Sequence, residues 1–252
     1  MINYKYLLIL LFIPFNLTTV VSQKKIKLKF DFERNMTWKQ EVKVISTRNF
    51  NSNSISQIID LTMVVNLSKL NDNKPSEIVC ENVTGVQKII EAKEINNLET
   101  ESFENKNGQI TANINENYEF INAKDHGKLS DDILLYFSPG PFIGFILPKG
   151  KIKLGDSWDS GEIIPVGPKT HTKGKLIFSE IKGTFQLTKI EKELAYILWK
   201  GKATVNKTLD AKWERTIIFD WKKKRFISNL GNIQIDAPKW NIIYQVDIIA
   251  KY

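Results

Sequence analysis

The chain has 252 residues, with 36 Lys or Arg against 28 Asp or Glu, and so carries a net charge of +8 at neutral pH. An apolar content of 42% and an aromatic content of 11% are those of a folding chain and exclude a disordered charged tail. One cysteine, Cys80, forbids an intramolecular disulfide, and with only two histidines, His126 and His171, no zinc-ligand spacing is present.

At the N-terminus, Lys5 precedes an apolar run from Leu7 to Phe15 that is broken by Pro14 and followed by Val20-Val21-Ser22. The run is about half of the ~20 residues that a membrane-spanning helix needs. Residues 1–22 therefore read as a secretory signal peptide cleaved before Gln23. The expectation is an exported protein, periplasmic or secreted, with no transmembrane span after cleavage. No Cys follows the apolar run, so no lipid anchor can attach there. Loss of Lys5 takes the charge from +8 to +7.

Residues 23–128 are expected to form a first antiparallel β-half. In "KIKLKFDFE", Ile26, Leu28, Phe30 and Phe32 alternate with charged residues, the mark of a strand buried on one face. Ile55, Ile59, Leu61, Met63, Val65 and Leu67 lie on a second such row, interrupted by Gln57. "NDNKP" at 71–75 and "NKNG" at 105–108 supply turn residues.

Residues 129–147 break this rhythm. Leu129, Ile133, Leu134 and Phe137 fall at helical spacing, Ser130 is a good N-cap, and Asp131 and Asp132 suit the first turn, so a short helix over 130–137 is expected. It ends at "SPGP", after which "FIGFILP" forms an apolar connector, or alternatively the lip of an apolar cavity.

The second antiparallel β-half is expected over 148–252. It opens with "KIKLGDSWDSGE", whose first four residues repeat those at Lys25, a faint sign that the halves are related. Ala195, Ile197, Trp199, Ala203 and Val205 share a row. Trp240, Ile242, Tyr244, Val246, Ile248, Ala250 and Tyr252 share another. Between "TIIFD" and "FISN", the basic run Lys222-Lys223-Lys224-Arg225 falls where a hairpin turn belongs, which argues against nucleic-acid binding.

Gly155-Asp156-Ser157 superficially matches the nucleophile block of a serine esterase. That chemistry needs a parallel α/β context and a late Asp-x-x-His, and neither is present, so the block is expected to be a turn that starts a strand. A triad of His171, Ser157 and Asp156 or Asp159 stays open, since triads are defined by geometry. No catalytic residue, metal ligand or cofactor is assigned, and hydrolase chemistry by paired carboxylates remains a minor alternative. The six tryptophans are more informative. Trp38, Trp158 and Trp199, with Phe142 and Phe145 of the connector, are the candidate lining of an apolar cleft, and core packing is the competing reading of the tryptophans.

The chain also resembles a family of secreted or lipoprotein β-rich proteins of unknown function from Gram-negative bacteria. The resemblance rests on Ser22-Gln23, Leu147-Pro148, the block Lys153-Leu154-Gly155-Asp156-Ser157-Trp158 and Phe219-Asp220. It implies a two-half antiparallel fold, with an analogy to the curved sheets of bacterial lipoprotein carriers, and no established activity. The fold expected is therefore mainly β, with antiparallel curved sheets or an incomplete barrel in two related halves and one short connecting helix. The function expected is a non-catalytic exported binding protein for a lipid-like or amphipathic ligand. The alternative is a structural or interaction module with an envelope protein as partner.

Overall fold

A computed structural model describes residues 24–31, 36–50, 53–71, 74–91, 99–105, 110–114, 120–125, 146–162 and 178–252. The helix expected over 130–137, Phe142, Phe145, His126 and His171 lie outside the described residues.

Fourteen strands are present among the described residues. In the first part of the chain these are β1 (Ile26–Lys27), β2 (Thr37–Phe50), β3 (Asn53–Asn71), β4 (Lys74–Glu91), β5 (Glu99–Asn105), β6 (Ile110–Ile114) and β7 (Phe120–Asp125). The second part contributes β8 (Lys151–Ile152), β9 (Ser157–Asp159), β10 (Phe178–Glu191), β11 (Leu194–Val205), β12 (Leu209–Asp220), β13 (Arg225–Ala237) and β14 (Trp240–Lys251). Twelve form one antiparallel sheet in the order β7-β6-β4-β3-β2-β14-β13-β12-β11-β10-β9, with β5 also paired to β4. The sheet is open, ending at β7 and β9. Its two runs of hairpins are joined where the last strand meets the first long one, with Trp240 opposite Phe50 and Lys251 opposite Lys39.

Alternation along each strand buries one face. Ile59, Leu61, Met63, Val65 and Leu67 on β3, Ala195, Ile197, Trp199, Ala203 and Val205 on β11, and Val246, Ile248 and Ala250 on β14 are all buried in one continuous core, and Ile242 is buried on the same row of β14. The turn between β12 and β13 falls on the basic run, where the Asp220 carboxylate accepts hydrogen bonds from the backbone N–H of Lys222 and Lys223. That Asx turn explains why acid and lysines adjoin.

The first "KIKL" departs from its sequence pattern. Only Ile26–Lys27 is strand, and it pairs with β8 outside the large sheet, Ile26 opposite Ile152 and Lys27 opposite Lys151. The two copies of the tetrapeptide thus face each other. Ile26, Leu28 and Phe30 are nonetheless buried as a row, Phe30 packing edge-on against Phe219 at 5.1 Å. The Asp31 N–H donates to the Lys224 carbonyl, and the Asp31 carboxylate takes the Lys224 ammonium at 2.7 Å. Alternation reported one-sided burial correctly, but a strap across a core alternates as a strand does.

Cys80 is a free thiol on the buried face of β4. Burial pushes its pKa up to about 12, so the nucleophilic thiolate is absent at neutral pH. The native protein is expected to resist a thiol reagent that labels the chain stoichiometrically in denaturant. Labelling at equal rates in both states would contradict the burial.

Candidate functional site

The tryptophans build an aromatic ladder inside the sheet. Trp158 on β9 and Trp199 on β11 both lie opposite Phe185 on β10, with ring centroids 5.6 and 5.3 Å from it. Trp213 on β12 meets Trp199 edge-on at 6.0 Å. Trp199 and Trp38 are buried, and the Trp38 N–H donates to the Gln40 side chain at 3.3 Å. Trp158 is half-buried and donates to the Ile146 carbonyl at 2.6 Å, tying the end of the connector to the sheet edge. Of the five residues singled out from sequence, Trp158 and Trp199 are therefore brought together through Phe185. Trp38 lies on β2 and packs against Tyr252.

The row through Trp199 continues to Arg215, Gly231, Val246 and Val44, so a guanidinium lies in the middle of the core. Arg215 is 1% exposed. Its Nε donates to Asn229 Oδ1 at 2.7 Å, and one Nη donates to the carbonyls of Asn229 and Val246, each at 2.9 Å. Burial lowers its pKa to about 9, partly opposed by the Asp247 charge, so the side chain is still cationic at neutral pH.

Gly155-Asp156-Ser157 is a turn. Gly155 has φ +87°, the Asp156 N–H donates to the Lys153 carbonyl, and the Asp156 carboxylate accepts from the Lys153 N–H at 3.0 Å. Only glycine adopts this φ at little cost. Ser157 then opens β9, an exposed position on the sheet edge opposite Gln186. The block starts a strand, as its residue types suggest.

A groove of about 670 Å³ lies beside this edge. It is lined by Asp159, Gly161 and Glu162 at the end of β9, by residues 181–184 of β10 and by residues 200–202 of β11. The register that makes it comes from a bulge. Ser179 faces Thr204 and Lys182 faces Lys202, so Glu180 and Ile181 together oppose Ala203, with Glu180 at φ +51°. Without the extra residue Lys182 would face Gly201. With it, Gly183 faces Gly201 and Lys182 faces Lys202. Lys182, Thr184, Lys200 and Lys202 are all exposed and frame the glycine pair. On the core side, a Cβ added at Gly183 would lie 2.3 Å from Ser160 Oγ, and one at Gly201 2.1 Å from the Trp213 ring. The glycines are needed because Ser160 and Trp213 fill the space their side chains would take.

The charges around the groove are unevenly matched. Lys200 pairs with Glu214 at 2.9 Å, and Lys212, opposite Lys202 on β12, pairs with Asp236 at 3.4 Å. Lys182 and Lys202 have no ion pair among the described residues. Among the described residues no three His, Cys, Asp or Glu side chains are grouped to hold a metal ion, and no helix is long and apolar enough to cross a membrane.

No family model matches the chain, and no curated protein matches it. The groove must therefore be read from its own residues. Sequence reasoning singled out aromatics and missed Lys182 and Lys202. The available signal was a glycine inside each of two neighbouring strands, in "KGT" at 182–184 and "KGK" at 200–202, since an isolated strand glycine marks a close approach or a bulge.

Proposed function

We propose that the chain is an exported, non-catalytic binding protein that takes one amphipathic small molecule in the groove between β9, β10 and β11. The observation that carries this reading is the bulge at Glu180–Ile181, which aligns two glycines beside an open depression of about 670 Å³. Ile181, half-buried against the core, and the glycine backbone line the groove, and the flanking lysines offer charge. Export is supported by the N-terminal sequence, whose charged start, short apolar core and small-residue end have the layout of a signal peptide.

Native mass spectrometry of the full chain tests this directly, with two amphiphiles that share a twelve-carbon tail: dodecyl phosphate and dodecyl maltoside, each below its micelle concentration. A one-to-one adduct with at least one of them is expected. Absence of any adduct with either contradicts the reading.

The second reading, an interaction module of the cell envelope, is favoured by the open sheet, whose edge strands β7 and β9 have no further strand paired to them among the described residues. Crosslinking in the native envelope separates the two. A protein adduct through β7 or β9 would favour the module, and a small-molecule adduct the binder.

A further inference from the structure

Resting on the binding reading above, we infer that the ligand carries an oxyanion, phosphate, carboxylate or sulfate, held between the Lys182 and Lys202 ammonium groups.

Lys182, Lys202 and Lys212 stand directly opposite one another on β10, β11 and β12. Like charges in such cross-strand positions repel at a strand spacing of about 4.8 Å. Lys212 is relieved by Asp236 and the neighbouring Lys200 by Glu214. The facing pair Lys182 and Lys202 has no such partner among the described residues, and it is the pair that the bulge at Glu180–Ile181 creates. A register that costs a bulge in order to place two uncompensated ammonium groups face to face above a glycine floor makes sense when an anion sits between them.

The surroundings also set the size of that anion. Carboxylates flank the patch: Asp159 and Glu162 line the groove and Glu180 lies on the bulge, while Glu214 and Asp236 on the next strands are already paired with Lys200 and Lys212. An anionic bilayer or a long polyanion laid across these strands would bring its charges against Asp159 and Glu180 as well as the lysines. A compact headgroup fits between the two ammonium groups and avoids those carboxylates. The occupant is therefore a single amphiphile and not a membrane surface.

Titration calorimetry on the full chain tests this with four probes: dodecyl phosphate, dodecyl maltoside, inorganic phosphate, and vesicles containing phosphatidylglycerol. Dodecyl phosphate is expected to bind at least tenfold more tightly than the maltoside, with affinity falling as salt rises. The double substitution Lys182→Gln with Lys202→Gln is expected to remove that preference, while Lys207→Gln, in the turn after β11, leaves it intact. The same double variant should unfold at a higher urea concentration, since it relieves a like-charge pair, so lost affinity cannot be put down to misfolding. Equal binding of phosphate and maltoside amphiphiles, or an unchanged preference in the double variant, overturns the oxyanion and leaves the binding reading standing. Failure of both amphiphiles overturns the two together. Inorganic phosphate bound as tightly as dodecyl phosphate supports the anion site and contradicts an amphipathic ligand. Tight binding to the vesicles with none to monomeric dodecyl phosphate overturns the single-amphiphile assignment.

Discussion

Trp199→Ala is expected to destabilise the protein by about 3–5 kcal/mol, the range for removing a large buried aromatic side chain. Trp199 is fully buried at the centre of the ladder, between Phe185 and Trp213, and its removal leaves a cavity that the flanking rings cannot collapse into without breaking their own contacts. Equilibrium unfolding in urea, followed by the remaining tryptophans, reads the loss. The experiment also separates two roles for the tryptophans. A side chain lining an open cleft would cost little stability and much ligand affinity on truncation. A side chain building the core does the reverse. A loss below about 0.5 kcal/mol, within the range for surface substitutions, would show that Trp199 does not pack as described.

Gly231→Ala is the second large effect, with an expected cost of roughly 3 kcal/mol or more from backbone strain and overpacking together. Gly231 has φ +148°, and a Cβ there would lie 2.3 Å from the Glu214 carbonyl oxygen and 2.7 Å from the Arg215 Cα. Both are backbone atoms of the neighbouring strand, so relief requires moving β12 away from β13. The strands are held at this point by Arg215, whose guanidinium reaches the Asn229 and Val246 carbonyls across β13 and β14. The control is Gly150→Ala, where a Cβ meets nothing within 4 Å and no unfolding shift is expected. A Gly231→Ala variant as stable as the Gly150→Ala variant would mean that β12 and β13 are not packed in this register.

Much of the architecture could be read from alternation. The rows on β3, β11 and β14 are each visible as period-two patterns, and apart from Ile55 and Tyr252, which are exposed near the strand ends, each follows the buried face of a strand in an antiparallel sheet. The turn chemistry of Gly155-Asp156 and of Asp220 with the lysines was equally local, because a glycine at positive φ and an Asx turn depend on a few adjacent residues. What could not be read was anything that depends on register between strands. Lys182 and Lys202 are twenty positions apart, and they become neighbours only because Glu180 and Ile181 share one partner. Trp38 and Trp199 are compatible in sequence with a cleft as well as a core, since sequence gives an aromatic its face of the sheet and not what lies above that face. Arg215 shows a different failure. Its place between Trp213 and Ile217 put it on the buried row of β12, and a charged residue at such a position was a signal of a buried polar anchor that hydrophobic patterning passed over.

On the proposed reading, the ligand binds in the groove beside β9 and not inside the aromatic core. Backbone amide chemical shifts of the isotope-labelled chain, recorded during titration with dodecyl phosphate, test it most directly. The shifts are expected to concentrate at Asp159 to Glu162, Lys182 to Thr184 and Lys200 to Lys202. Shifts centred instead on Trp38, on Ile59 to Leu67, or on the strand around Val246 would place the ligand in the interior and contradict the account.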